Sequence, residues 1–230
     1  MQLEALITDV TSLGSPRVCV AALARDHAIR FHNPTPSERW VDGMGGLMPG
    51  DVIEVEWRPR STPSPPHVED GDWDPTGCLK VKCLSEDELV RHLARTAFNS
   101  VEESFGPPWL EAANGNCAFR PGAGALSLAS VRAASVSVRL QFDKVRVAFT
   151  DGRRSWAGIP LQDLTVKRHL SSCRICQSSR QSMLQSEFDG SEALLRVGLA
   201  RQFQVPGYPS ACWMQINHIF LIPSKRNHFV

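Results

Sequence analysis

The chain has 230 residues, of which 42% are hydrophobic, enough for the core of one large domain or two small ones. No apolar run approaches the roughly 20 residues that a membrane-spanning helix needs, and the opening MQLEALITDV lacks the basic start of a secretory signal. The seven cysteines do not have the spacing of a disulfide framework. A reducing cytoplasm is therefore the expected compartment.

The net charge of +1 conceals an asymmetry between the two halves of the chain. Residues 1–131 carry 11 lysines and arginines against 18 acidic residues, a net charge of −7, whereas residues 132–230 carry 14 against 6, a net charge of +8. This distribution fits a basic half that faces a polyanion. It fits equally well two halves that neutralise each other across an interface.

The first half contains short apolar or alternating runs that predict β-strands. They are Leu3–Val10, Val18–Leu23, Ala28–Phe31, Asp51–Trp57 and Leu79–Cys83. The Pro-, Ser- and Asp-rich stretch Arg58–Thr76 predicts a long exposed loop. Ser85, with Glu88 three residues later, predicts a capping box at the start of a short amphipathic helix.

The second half begins with a predicted β-hairpin, Val136–Phe149, in which apolar and polar residues alternate on either side of an Asp143-Lys144 turn. The elements predicted after it are a strand at Ser155–Ile159, a short helical or irregular piece at Leu161–Leu170, a polar loop at Ser171–Asp189, and strands at Ala193–Ala200 and Cys212–Ile222. The whole pattern predicts a mainly β protein of two small barrels, with one or two short helices and long loops. We assign residues 1–98 to an N-terminal barrel with a capping helix, 99–126 to a linker and 127–230 to a basic C-terminal barrel.

Four stretches of the second half resemble the bacterial dual OB domain-containing proteins. They are Asp151-Gly152-Arg153-Arg154-Ser155-Trp156, Ile159-Pro160-Leu161-Gln162-Asp163, Leu195–Phe203 and Cys212–Ile216. In the first half the resemblance rests on Pro49-Gly50-Asp51-Val52-Ile53, the long Pro/His loop and the helix start at Ser85. The resemblance implies two OB-like barrels, nucleic-acid binding, a role in prokaryotic defence or genome conflict, and no defined catalytic residues.

A barrel that binds single strands combines a basic groove with aromatic platforms, since phosphates need cations and every base has a face that can stack. The candidate nucleic-acid-binding residues are the cations Arg139, Arg146, Arg153, Arg154, Lys167, Arg168, Arg196 and Arg201, with Trp156 and Phe203 as stacking groups. The alternative is that Trp156 belongs to the core and that the arginines only keep the strands soluble.

Catalytic and metal-binding motifs find little support. The chain has no G-x-S-x-G, H-E-x-x-H or phosphate-loop motif, and we expect no cofactor. Cys173 and Cys176 have zinc-knuckle spacing, but a structural zinc site needs four ligands, and the nearest second pair, Cys78 and Cys83, has a poor spacing. Ordinary reduced cysteines are the alternative to such a zinc clip.

The sequence therefore predicts a non-catalytic protein that binds single-stranded DNA or RNA through its C-terminal half. The alternative is an adaptor subunit of a larger complex, which docks a protein partner through the acidic half and the Pro-rich loop Arg58–Asp74. A nuclease would need carboxylates around a metal, for which Asp151 and Asp163 are the candidates.

Overall fold

The computed structural model describes residues 2–141, 144–172, 177–188 and 191–222. The first unit contains β1 (Gln2–Ser12), β2 (Val18–Ala24), β3 (His27–Asn33), α1 (Glu38–Gly43), β4 (Asp51–Pro59) and β5 (Asp70–Cys83). Its five strands close into a barrel in the order β1-β2-β3-β5-β4, with β4 antiparallel to β1 and β3 parallel to β5. This strand order, with a helix between the third and fourth strands, is that of an OB fold. Inward residues of these strands, such as Ile7, Phe31 and Ile53, form its core.

The second unit repeats this topology. Its strands are β8 (Leu128–Gln141), β9 (Lys144–Thr150), β10 (Ser155–Pro160), β11 (Ser191–Leu199) and β12 (Cys212–Leu221). They run in the order β10-β9-β8-β11-β12. A parallel bridge between Leu161 and Ile216 joins the third strand to the fifth. There the backbone N–H of Gln162 donates to the Ile216 carbonyl at 2.8 Å. The predicted mainly β fold of two OB-like barrels is thus confirmed.

The helices of the second unit replace a predicted loop. After β10 come α4 (Leu164–Ser172) and α5 (Gln177–Phe188), so the polar loop predicted at Ser171–Asp189 is wrong where the structure describes it. Leu184 and Phe188, one helical turn apart, pack into the barrel core. The Gln181 amide accepts from the Leu140 N–H and donates to the Val138 carbonyl. Three apolar residues in an otherwise polar sequence, Met183, Leu184 and Phe188, give little helical periodicity. It is the tertiary contacts that stabilise α5.

The long exposed loop predicted at Arg58–Thr76 is also wrong in its extent. Strand β4 reaches Pro59 and β5 begins at Asp70, which leaves residues 60–69 as the connection. Its first half is exposed, but Pro66, His67 and Glu69 are buried. The composition of this stretch predicts a loop and cannot predict that the second barrel will cover part of it.

Residues 99–126 form more structure than their Gly/Pro content indicates. They contain α3 (Val101–Phe105), β6 (Leu110–Glu111) and β7 (Cys117–Phe119), and β7 extends the second sheet by pairing with β12. Val101, Phe105, Cys117 and Phe119 all belong to the core of the second barrel. The domain bounds at 98 and 127 stay a prediction.

An apolar cluster joins the two barrels around α2 (Glu86–Arg95), which begins with the predicted capping box between Ser85 and Glu88. Leu89 and Leu93 of this helix are buried in one cluster with residues of both units. The first barrel contributes Leu6, Leu23 and Val52, and the second contributes Leu194 and Phe220. The capping helix α2 therefore packs between the two barrels and contacts both.

A buried ion pair lies beside this cluster. Arg196 on β11 is 2% exposed and Asp9 on β1 is 1% exposed. The arginine donates to both carboxylate oxygens, at 2.9 Å from Nη2 and 3.1–3.2 Å from Nε, and also to the hydroxyls of Thr8 and Ser130. Both partners lie at strand irregularities, since register shifts occur next to Asp9 and next to Arg196. A bulge turns a side chain away from its regular direction. Here it directs both charges into the contact surface between the two barrels, which we call the junction.

A second polar group closes the junction at the other side. The Glu69 carboxylate accepts from the backbone N–H and hydroxyl of Ser127, at 2.6 and 2.9 Å, and from the Leu128 N–H at 3.0 Å. Arg30 donates to Asp70 at 3.2 Å and to the Ser127 hydroxyl at 2.7 Å, and its Nη1 lies 3.0 Å from His67 Nδ1. The connection at residues 60–69 thus holds the start of the second barrel through charged hydrogen bonds.

We predict that Asp9→Ala lowers the free energy of unfolding by about 3–5 kcal/mol, because it leaves the Arg196 guanidinium buried without a counter-charge. Urea denaturation measures the change. The exposed pair Arg58–Glu56 supplies the control, and Arg58→Ala should leave the unfolding free energy unchanged within error. A loss for Asp9→Ala no larger than that of the control would show that the junction does not depend on this pair.

We also predict that stability falls as the pH drops below 6.5. Burial, and then the charges of Arg30 and Arg201, lower the pKa of His67 from 6.5 to about 3. The unfolded chain therefore takes up a proton before the folded chain does, and unfolding becomes more favourable between these two pH values. At pH 5 this amounts to about 2 kcal/mol.

Denaturation of His67→Gln at pH 7 and pH 5 tests this, since the glutamine oxygen can still accept from Arg30. The variant should lose less stability over this range than the wild type does. His27→Gln, at an exposed position, is the control and should keep the wild-type pH dependence. Equal pH dependence of all three proteins would contradict the assignment to His67.

Candidate nucleic-acid interface

The two barrels differ in how much of their ligand-binding face is open. OB folds bind oligonucleotides on the face of their second and third strands, next to the loops after the first and fourth strands. In the first barrel, Arg30 and His32 of the third strand contact Ser127 and Arg201, and the loop after the fourth strand carries Glu69 onto the second barrel. The second barrel covers this face, so it is not open to a ligand.

The corresponding face of the second barrel forms an open groove of about 1520 Å³. Its walls are the start of β9, the end of β10, α4, the segment 200–208 and the start of β12, with the loop 112–116 at one side. Ser12, Ser15 and Glu38 of the first barrel complete the rim. The loop 112–116 can approach β10 closely because residue 158 is glycine. A Cβ built there would lie 1.9 Å from the Asn114 carbonyl oxygen.

Cations and aromatic rings predominate among the functional groups of this groove. Its cationic residues are Lys144, Arg146, Lys167, Arg168 and Arg180, and its aromatic residues are Phe203, Tyr208 and Trp213. Among the described lining residues the only acidic one is Glu38. Such a surface attracts a polyanion that also carries flat apolar groups.

Arg146 on β9 lies directly opposite Arg139 on β8. Like charges in this cross-strand position repel each other. Arg146 donates from Nη1 to the Gly158 carbonyl at 3.3 Å, which turns it toward β10, while its buried Nε has no hydrogen-bond partner in the described part of the chain. An anion bound here would relieve the repulsion between the two arginines and could accept from the unsatisfied Nε of Arg146.

Lys167 and Arg168 come from α4. Burial lowers the pKa of Lys167, with Lys144 acting in the same direction and Asp163 opposing it. Its ammonium group contacts the Gln162 side chain. Arg168 is held by the first barrel, at 2.8 Å from Asp42 and 3.2 Å from Glu38. Of the two cations from α4, Lys167 is therefore desolvated and Arg168 is already neutralised.

Eight of the ten candidates from the sequence fall into three groups. Arg146, Lys167, Arg168 and Phe203 line the groove, and Arg139 is exposed beside it. Arg153 and Arg154 lie on the turn before β10, paired with Glu102 and Glu111. Arg201 pairs with Asp70 at the junction. Nucleic-acid binding by the accessible candidates stays a prediction.

Two candidates are corrected by their burial. Trp156 is 2% exposed, stacks at 6.3 Å on Phe149 in the barrel core and donates to Asp151 at 2.7 Å. It is a core residue, so it cannot offer a face to a base. Arg196 is the buried partner of Asp9 and cannot reach a phosphate. Alternation along a strand does not reveal which face a second domain will cover.

The charge asymmetry is partly explained by pairing between the halves. Arg153, Arg154, Arg168, Arg196 and Arg201 all pair with acidic residues that precede residue 131. Mutual neutralisation therefore accounts for these five arginines. What distinguishes the groove is the basic residues that remain, above all Arg139, Lys144 and Arg146.

Four groove residues are not among the candidates predicted from the sequence: Lys144, Arg180, Tyr208 and Trp213. Lys144 was visible as an interleaved charge in the hairpin. Arg180 was placed in a loop, and helix α5 is what brings it to the groove wall. Tyr208 and Trp213 carry no local signal, since only the pairing of segment 200–203 with 211–213 places them here.

The carboxylates considered for metal-dependent cleavage have structural partners. Asp151 accepts from the backbone of Val101, Arg153 and Arg154 and from the Trp156 indole, and although burial opposes it, these bonds lower the Asp151 pKa. Asp163 accepts from the Val166 N–H and contacts His218. Within the described ranges no three His, Cys, Asp or Glu side chains are grouped to hold a metal. Cys173 and Cys176 lie outside the described residues, so the zinc clip stays untested.

Among the described helices, none is long and apolar enough to cross a membrane.

Comparisons with known proteins give distant structural matches. No family model and no curated protein matches the chain. Solved structures that match include a p204 HINb domain (9% identity, 93% of this chain and 95% of that chain, TM-score 0.37). A murine DNA-binding protein bound to double-stranded DNA matches with 8% identity, 96% and 93% coverage and a TM-score of 0.36. The tetrameric p202 HIN2 matches with 8% identity, 94% and 91% coverage and a TM-score of 0.34. Scores this low carry no inference about a ligand, and the fold assignment rests on the strand order.

We predict that Arg139→Gln raises the free energy of unfolding by about 0.5 kcal/mol at low salt, because it removes the repulsion from Arg146 across the ladder. The gain should shrink at high salt, where exposed charges are screened. Thermal denaturation at two salt concentrations measures it. Arg153→Gln, which removes an exposed arginine that has an acidic partner, is the matched control and should not be stabilised. A loss of stability in Arg139→Gln would mean that the two arginines do not repel each other.

Proposed function

We propose that the protein binds single-stranded DNA or RNA in the groove of its second barrel and catalyses no reaction there. The observation that carries this proposal is the combination of Lys144, Arg146 and Lys167 with the exposed Phe203 ring in the OB face that the junction leaves open. The cations neutralise phosphates, and the rings offer faces on which bases stack. A single strand exposes both kinds of group at once, whereas a duplex keeps its base faces stacked inside.

The first barrel has a supporting role in this proposal. Its own OB face is covered, and its acidic residues hold Arg168, Arg196 and Arg201 in place. It also contributes Glu38, the partner of Arg168, to the rim. A role in prokaryotic defence and membership of the dual OB family, which the resemblance implies, are part of the proposal, as is the cytoplasmic location expected from the cysteine pattern.

The adaptor alternative finds less support in the structure. The second half of the Pro-rich connection is buried against the second barrel, and Asp9, Asp42, Glu69 and Asp70 are engaged at the junction. Residues 58–65 stay exposed and could contact a partner. Failure of all nucleic acids to bind would favour this function.

The direct test is fluorescence anisotropy of labelled single-stranded DNA, single-stranded RNA and duplex DNA at several salt concentrations. We expect the single strands to bind more tightly, with an affinity that falls steeply with salt because bound counterions are released. The double substitution Lys144→Glu with Arg146→Glu should weaken binding at least about 10-fold and lower the salt slope by about 1.4, which is the loss of two phosphate contacts.

The control carries the same change of charge elsewhere. Arg91→Glu with Arg95→Glu places two reversed charges on exposed positions of α2, and it should bind as the wild type does. Circular dichroism confirms the fold of each variant. Equal weakening by both double variants would show that only net charge matters, and the groove would not be the site.

A further inference from the structure

The segment after β11 folds back along the start of β12. The Ala200 N–H donates to the Trp213 carbonyl at 2.8 Å, and Phe203 and Ala211 exchange two backbone hydrogen bonds of 3.1 Å. Phe203 and Ala211 are therefore directly opposite each other in an antiparallel pair. Trp213, two residues beyond Ala211, is on the same face and diagonal to Phe203, a relation that spans about 7–8 Å. Both side chains line the groove.

The two rings differ in exposure. Phe203 is 46% exposed, although it is a large apolar side chain at the mouth of a basic groove. Trp213 is 4% exposed and is fixed at 5.5 Å and 86° to the ring of Tyr208. The Tyr208 hydroxyl accepts from the Ala113 N–H at 3.0 Å, which holds that ring in turn. The Phe203 ring is thus accessible, whereas the Trp213 ring is buried and held in place.

The Trp213 indole has an unsatisfied donor. Its Nε1–H is buried and has no hydrogen-bond partner among the described residues. The indoles of Trp57, Trp73 and Trp156 all donate, to Arg30, Pro34 and Asp151. Trp40 also lacks a partner, but it packs inside the first barrel with Phe31 and Trp73 and does not line the groove. A buried donor without an acceptor is unfavourable unless a ligand supplies one.

We propose that Phe203 and Trp213 form a nucleobase pocket at this end of the groove. Phe203 stacks on the base, and the Trp213 Nε1–H donates to a carbonyl oxygen or ring nitrogen on its edge. The pocket rests on the nucleic-acid binding proposed above and makes it more specific. Arg139, Lys144 and Arg146 hold the backbone, whereas Phe203 and Trp213 require a base.

The consequence is that the protein distinguishes a base-bearing strand from a bare polyanion. A groove of cations alone binds an abasic sugar-phosphate strand as well as a normal one, since both carry the same phosphates. Stacking on Phe203 should make the normal strand bind about 5- to 100-fold more tightly. Thymine suits the test, since its two carbonyl oxygens both accept hydrogen bonds.

The experiment compares a short oligothymidylate with an abasic strand of the same length by fluorescence anisotropy. Phe203→Leu should lose most of the preference for the oligothymidylate and leave abasic binding unchanged. Trp213→Phe keeps an aromatic ring but removes the indole donor, and it should weaken oligothymidylate binding about 3- to 10-fold with no effect on the abasic strand. Arg146→Gln should weaken both strands alike. Leu79→Ala, at an exposed apolar position of the first barrel, is the control and should change neither.

The outcomes separate this pocket from the general function. Equal wild-type affinity for the two strands would overturn the pocket and leave the basic groove standing. Weakening of both strands to the same extent by Phe203→Leu would overturn it as well. Failure of both strands to bind at low salt would overturn the proposed function itself. Phe203 is half-exposed, so its variant should fold and decide the question even if Trp213→Phe is unstable.

Discussion

The buried pair of Arg196 and Asp9 is the constraint on which the arrangement of the two barrels depends. Two charges that are almost fully withdrawn from water are tolerated only when they meet with good geometry and further hydrogen bonds, and here Thr8 and Ser130 supply these. Because the partners come from β11 and β1, the requirement fixes one barrel against the other. The apolar cluster around α2 buries further surface beside this ion pair. Apolar packing, however, tolerates shifts in position much better than a hydrogen-bonded ion pair does.

This fixed junction decides which surface is free. It places the third strand and the 60–69 connection of the first barrel against the second, so one OB face becomes an interface and the other becomes a groove. The junction also pairs several arginines with the acidic half. The uncompensated positive charge is then concentrated near the hairpin of β8 and β9, beside the aromatic residues of segment 203–213. Fold, charge distribution and binding surface thus have a common cause.

The sequence alone predicts part of the candidate site. The alternation at 136–149 places Arg139 and Arg146 on the face away from the core, and the structure keeps them there. The sequence also predicts Phe203 as a stacking group. Trp156 had an equally favourable local context but lies in the core, since its strand turns that face inward. Charge and aromatic content therefore suggest a type of ligand, and they cannot say which side chains meet.

The sequence by itself determined the elements whose signal is local. Strand alternation, the capping box at Ser85 and the low helix content are consequences of residue periodicity and hydrogen bonding within a few positions, and they suffice for a mainly β protein of two barrels. Tertiary structure alone decided the helix α5, the burial of Glu69 and Arg196, and the placement of Phe203 and Trp213 in the same groove. Each of these depends on partners far away in the chain, because the energy that favours them comes from burial and pairing between elements and not from the residues' own neighbours.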